Sequence, residues 1–161
     1  MSKWKETIYL DTTVPSAYFD CREQEKMKSA QTVWKIMMDK YEVYISEITI
    51  AEINATLDSN RKSRMLKLVK NISILPITKE VELLAKGYIE QKIIPVKHTE
   101  DALHVACASI HKIDFFLTWN CTHIASAHKR KAIRFFNLSV GIFCPEIILP
   151  EELLGEEVER G

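Results

Sequence analysis

The segment Thr99–Asn120, TEDALHVACASIHKIDFFLTWN, reads as one helix followed by one short strand. Small and apolar residues recur at helical spacing through Thr99–His111, and Phe115–Thr118 (FFLT) is a β-type run with Asn120 two residues beyond it. The same alternation extends outward in both directions. Upstream, Glu6–Leu10 (ETIYL) is a strand ending at Asp11, and Glu25–Tyr41 is helical through Met27, Ala30, Val33, Trp34, Met37 and Met38. Val43–Ile45 and Ile72–Leu75 are further strands, set among helical stretches at Thr49–Leu57, Ser63–Val69 and Lys79–Gln91. Downstream, Ile124–Phe136 is helical and Glu146–Leu149 is a last strand closed by Pro150. Short strands alternating with longer helices imply βα units, and hence a parallel sheet covered on both faces.

With 161 residues, 47% hydrophobic and 27% charged, the chain has the balance of one folded domain, expected to span 1–161. Lys+Arg and Asp+Glu both total 22, so no global field recruits nucleic acid or an anionic membrane. No apolar run approaches the ~20 residues that cross a bilayer, and the first residues lack the apolar stretch of a signal peptide. The expectation is a cytoplasmic protein without a membrane partner. Cys21, Cys107, Cys121 and Cys144 lie far apart with no CxxC pair, which points to free thiols. Charge is uneven along the chain. Residues 59–79 carry Arg61, Lys62, Arg64, Lys67, Lys70 and Lys79 without an acid, and 115–145 carry Lys129, Arg130, Lys131 and Arg134 without an acid. An acidic tail occupies about 151–161.

Ligands of open parallel sheets bind beyond the carboxyl ends of the strands. Four polar groups fall there: Asp11, Glu52, Asp101 and Asn120. Each has a structural explanation of its own. Asp11 can cap the turn into Val14-Pro15, with Pro15 suited to the first position of a helix, and Glu52 follows Thr49 at capping-box spacing. Asp101 suits the first turn of its helix, and Asn120 is a good N-cap. Jointly they say more. Three carboxylates converging on one sheet edge repel one another unless a cation neutralises them, and Mg²⁺ or Mn²⁺ is the hard cation that carboxylate and water oxygens take.

Four segments, IYLDTTVPS (Ile8–Ser16), SEITIAEI (Ser46–Ile53), TEDALHVACA (Thr99–Ala108) and FLTWNCTHIA (Phe116–Ala125), in this order and spacing, resemble the PIN-domain nucleases. The similarity is greatest to the branch that includes the VapC-like toxins of toxin–antitoxin pairs. It implies a PIN-like three-layer α/β/α fold with a four- or five-stranded parallel sheet, and metal-dependent cleavage of RNA, single-stranded or structured. It further implies Asp11, Glu52 and Asp101 as catalytic metal ligands, with Asn120 at a fourth position where many members carry Asp. Thr12 and Thr118 match small hydroxyl positions near the metal, and His104, one turn after Asp101, is expected to support the site. On this reading Arg61, Lys62, Arg64, Lys129, Arg130, Lys131 and Arg134 would contact RNA phosphates. An antitoxin protein and a second copy of the chain are the implied protein partners. The stripe at Val33, Trp34, Met37 and Met38 is itself expected to be mainly core.

Three other readings compete. A non-catalytic PIN-like module that binds RNA or protein would account for Asn120. DTTV (Asp11–Val14) also touches the haloacid-dehalogenase phosphatases, but their second acid would fall at Thr13. His104, Cys107 and His111 share helical spacing suited to zinc, although packed side chains are the commoner outcome on so apolar a helix.

Overall fold

A computed structural model describes residues 4–160, with side chains through residue 155. Five strands form one wholly parallel sheet: β1 (Thr7–Leu10), β2 (Glu42–Ser46), β3 (Ser73–Leu75), β4 (Phe115–Leu117) and β5 (Glu146–Ile148), in the order β3-β2-β1-β4-β5. The chain lays β2 and β3 on one side of β1 and then returns to place β4 and β5 on the other. The order therefore reverses between β1 and β4, where the outgoing loops diverge and leave a crevice. Leu10 is in register with Leu117, so Asp11 and Thr118 leave the sheet side by side.

Period-two alternation along the strands divides the core into two layers. Ile8, Leu10 and Leu117 face the helices α2 (Gln24–Lys40), α3 (Glu47–Asn54) and α4 (Ser59–Leu68), meeting Val33, Trp34, Met37, Ile53 and Met65. Tyr9 and Phe116 point the other way, toward α5 (Lys79–Glu90), α6 (Thr99–Ile110) and α7 (Ala127–Ser139), meeting Val81, Tyr88, Val105, Ala108 and Ile133. The apolar stripe of α2 is thus core, with only Met38 substantially exposed.

The structure departs from the sequence reading in four places. A short helix, α1 (Thr13–Tyr18), follows Asp11 directly. Pro15 is its third residue and not its first, which is still compatible because N–H groups in a first helical turn have no partner within the helix. Helix α3 begins at Glu47, capped by Ser46, whose side chain and that of Thr49 satisfy each other's backbone N–H groups. Glu52 accordingly lies in the second turn and is not the capping-box partner of Thr49. Helix α4 starts at Ser59 because the Asp58 carboxylate accepts from the Arg61 N–H at 3.1 Å. The helix expected over Ile124–Phe136 is interrupted: a π-turn at Cys121–Ala125 ends at Ser126, which is extended and caps α7.

The acidic segment is a helix, α8 (Pro150–Arg160), with Leu153 buried in the β1–α2 layer of the core. A side chain 1% exposed so near the chain end anchors that helix to the rest. Leu153→Ala is expected to lower the unfolding free energy by about 2–5 kcal/mol, read from urea denaturation, as for other buried leucines.

Candidate active site

Asp11 leaves β1 at the switch point and is 2% exposed. Its Oδ1 accepts from the Thr13 N–H at 3.1 Å and from the Thr13 hydroxyl, and its Oδ2 accepts from the Thr118 hydroxyl. Both hydroxyl oxygens are themselves acceptors, Thr13 Oγ1 from the Trp119 N–H and Thr118 Oγ1 from the Asn120 N–H, each at 2.9 Å. The loop after β4 thereby directs both hydroxyl protons onto the Asp11 carboxylate. Burial nevertheless pushes the Asp11 pKa up to about 6, with the Asp101 charge adding to the rise and His104 and the two threonines opposing it.

Glu52 projects from α3 and is about one-third exposed. Its Oε1 receives two donors, the Thr12 hydroxyl at 2.7 Å and His104 Nε2 at 2.5 Å. Burial would raise its pKa, but the hydrogen bond and charge of His104 and the Thr12 hydroxyl outweigh burial and hold it below the usual value. Asp101 sits in the first turn of α6, and burial raises its pKa, with Glu52 adding to the rise and His104, His98 and His123 opposing it. Its Oδ2 accepts from Asn120 Nδ2 at 3.2 Å, while Asn120 Oδ1 caps the π-turn by accepting from the His123 N–H at 3.0 Å. The capping and active-site explanations of Asn120 therefore hold together: one end of the amide closes the turn, and the other holds Asp101.

The crevice thus brings Asp11, Glu52, Asp101 and Asn120 together with Thr12, Thr118 and His104. Three contributors escaped the sequence reading. Thr13 was legible, since Asp followed two residues later by a backbone donor makes an Asx turn. His98 and His123, stacked with ring centroids 3.8 Å apart beside Asp101, come from segments far apart in sequence and left no local signal. Of the basic residues, Arg61 donates to the Ser16 carbonyl and hydroxyl, Lys129 to the Ile93 carbonyl, Arg130 to Glu152 and Arg134 to Glu146. Among the described residues, the side chains of Lys62, Arg64 and Lys131 have no ion-pair or hydrogen-bond partner. His111 and Cys107 turn toward the Pro76 carbonyl, away from any joint role with His104.

The donor set suits a hard divalent cation. Glu52 Oε2 and Asp101 Oδ1 take no hydrogen bond among the described residues, and beside burial the Asp101 charge adds to the raised pKa of Asp11 and the Glu52 charge to that of Asp101. Among the described residues no three His, Cys, Asp or Glu side chains are gathered closely enough to enclose a metal ion.

A parallel sheet with helices on both faces and an acid-lined crevice at its switch point is the three-layer α/β/α architecture of the PIN-like class. The chain belongs to the PIN domain family, whose sequence profile matches residues 8–120. Among solved structures it is similar to VapBC2 from Rickettsia felis bound to a DNA fragment from their promoter, with TM-score 0.60 and 15% identity over 89% of this chain and 98% of that one. A toxin-antitoxin complex from Klebsiella pneumoniae gives TM-score 0.58 and 17% identity over 76% and 94% of the two chains. Mycobacterium tuberculosis VapC20, a sarcin-ricin loop cleaving toxin, gives 0.54 and 16% over 75% and 95%. At such identities the likeness is one of fold. No curated protein sequence matches the chain.

The raised Asp11 pKa has a consequence for stability. Because the folded-state pKa lies above the ordinary value of 3.8, the folded state holds its proton more tightly than the unfolded chain. The stability this contributes is full below about pH 4 and is lost as the pH rises through about 6. In EDTA, Asp11→Asn should therefore gain on the unsubstituted protein as the pH is raised from 4 to 7, by about 2–3 kcal/mol. Urea unfolding across that range measures it.

Proposed function

We propose that the protein is a divalent-metal-dependent endoribonuclease, the toxin of a toxin–antitoxin pair. The observation that supports this reading is the trio Asp11, Glu52 and Asp101 at the switch point, with Asp11 and Asp101 linked through Thr118 and Asn120 and Glu52 held by Thr12 and His104. Asp11, Glu52 and Asp101 would hold Mg²⁺ or Mn²⁺. When bound, the ion would supply a water of lowered pKa and offset the negative charge that develops at phosphorus during in-line attack. Thr13 and Thr118 hold Asp11 in place, Thr12 and His104 hold Glu52, and Asn120 holds Asp101. A carboxylate of the three that the ion leaves unengaged would accept the proton of the attacking water.

RNA is the substrate inferred from family membership, with Lys62, Arg64 and Lys131 as its phosphate contacts. Lys129, Arg130, Arg134 and Arg61 contribute there only where they leave their partners within the chain. The antitoxin is proposed from the toxin–antitoxin complexes among the similar structures, and homodimerisation from the family resemblance. A single domain spanning 1–161 and a cytoplasmic location complete the proposal. No described helix is long and apolar enough to cross a membrane. Membership of the PIN family displaces the phosphatase alternative, and Thr13, where a second acid would be needed, is a hydrogen-bond donor to Asp11.

Cleavage of a single-stranded and structured RNA panel, with Mg²⁺ or Mn²⁺ and with EDTA, tests the reading. Activity should require the cation, and Asp11→Asn or Glu52→Gln should reduce it at least about 100-fold in folded protein. Cation-independent cleavage, or undiminished activity in both variants, would overturn it. The second reading, a binding module that does not cut, is favoured by the absence of a close three-ligand cluster among the described residues and by Asn120. RNA binding without cleavage at millimolar Mn²⁺ would establish it. Asn120→Asp replaces the amide donor to Asp101 with a second carboxylate. Its melting temperature should fall in EDTA, by repulsion, and recover with Mn²⁺, which thermal unfolding in the two buffers would show.

A further inference from the structure

Tyr9 occupies the middle of the sheet, where a phenyl ring would serve the packing equally well. Its ring stacks on Phe116 at 5.3 Å between centroids and is fully buried. The hydroxyl is therefore a polar atom placed in the core, which costs free energy unless it is hydrogen-bonded. It meets two side chains, Ser46 Oγ at 2.7 Å and His104 Nδ1 at 2.6 Å. The other nitrogen of His104 meets Glu52 Oε1. Because an ionised carboxylate offers no proton, Nε2 is the donor there, and the Tyr9 hydroxyl can complete Nδ1 as either donor or acceptor.

The chain Ser46–Tyr9–His104–Glu52 runs from the residue that ends β2 and caps α3 to the second turn of α3 itself. Ser46 caps α3, Glu52 stands in its second turn, Tyr9 belongs to β1 and His104 to α6. Four elements, β2, β1, α6 and α3, are thus tied in one loop closed through the backbone of α3, and Tyr9, Ser46 and His104 are essentially without solvent exposure. The loop terminates on Oε1, where the Thr12 hydroxyl also arrives, so two donors fix one oxygen and leave Oε2 unbonded. We infer that Tyr9, acting through His104, is a positioning residue for Glu52. Its hydroxyl holds the imidazole that orients the carboxylate, presenting Oε2 to a divalent cation. The cation part of this inference rests on the metal-dependent reading above, whereas the orientation of Glu52 does not.

Tyr9→Phe keeps the ring and removes only the hydroxyl. Two measurements on the whole protein separate the cases. In a metal-free crystal structure of the variant, Glu52 should leave its original position or split between conformers. In calorimetric titration with Mn²⁺ alone, affinity should fall about tenfold, as when partners that orient a metal ligand are removed. His104→Gln, whose amide can still donate to Glu52, should retain more affinity than His104→Leu, and these two variants cover the case in which Tyr9→Phe fails to fold. A purely structural role would lower the melting temperature and leave Mn²⁺ affinity unchanged. That result, or an unmoved Glu52, overturns the inference. Unsubstituted protein that binds no Mn²⁺ overturns the metal reading and the cation part with it, while the position of Glu52 in the variant still decides the orienting role of Tyr9.

Discussion

A carboxylate withdrawn from water is the constraint around which this molecule is arranged. Asp11 follows a central strand that is hydrogen-bonded on both sides, so its side chain emerges beneath the crevice. A buried charge is tolerated only when polar groups replace the lost water. The replacement comes from Thr13, one step into α1, and Thr118, at the end of the neighbouring strand. Their protons are aimed by the backbone of Trp119 and Asn120, which couples the geometry of the β4 loop to that of Asp11. The compensation is incomplete, as the raised pKa records.

The other acids are supported in the same manner but by different elements. Glu52 is held by Thr12, which precedes α1, and by His104 of α6, and Asp101 by Asn120, which caps the π-turn that follows β4. The π-turn has a clear local cause: Asn120 caps it from one side and Ser126 closes it with an extended backbone on the other. Among the described residues, no lysine or arginine pairs with any of these three carboxylates. Most of the supporting side chains are short threonines and an asparagine on or directly beside regular elements, which limits the ways the site can relax.

The two largest basic segments illustrate how tertiary structure spends charge that a sequence displays as surplus. Arg130 and Arg134 pair with Glu152 and Glu146, so the basic face of α7 and the acids of the C-terminal region partly neutralise each other. Read linearly, they look like a basic patch and an acidic tail. In three dimensions they help seat β5 and α8 against α7. Arg61 likewise ties α4 to α1 through Ser16.

Sequence alone determined the βα alternation, the parallel sheet and the acids at its strand ends, because hydrophobic period and strand-terminal position are local properties of the chain. It located Asp11, Asp101 and Asn120 at the ends of their elements, and the spacing of four short segments carried the family. Sequence could not determine that Glu52 lies a turn deeper in α3, since Ser46 and Thr49 are both plausible caps and only the end of β2 decides between them. The loop from Ser46 through Tyr9 and His104 to Glu52 was equally hidden, because a tyrosine in a strand and a histidine in an apolar helix each read as packing. Those partners lie tens of residues apart, and their meeting depends on β1 pairing between β2 and β4 while α6 covers the sheet. Long-range hydrogen bonds of this kind leave no period in the chain, so only the folded structure decides them.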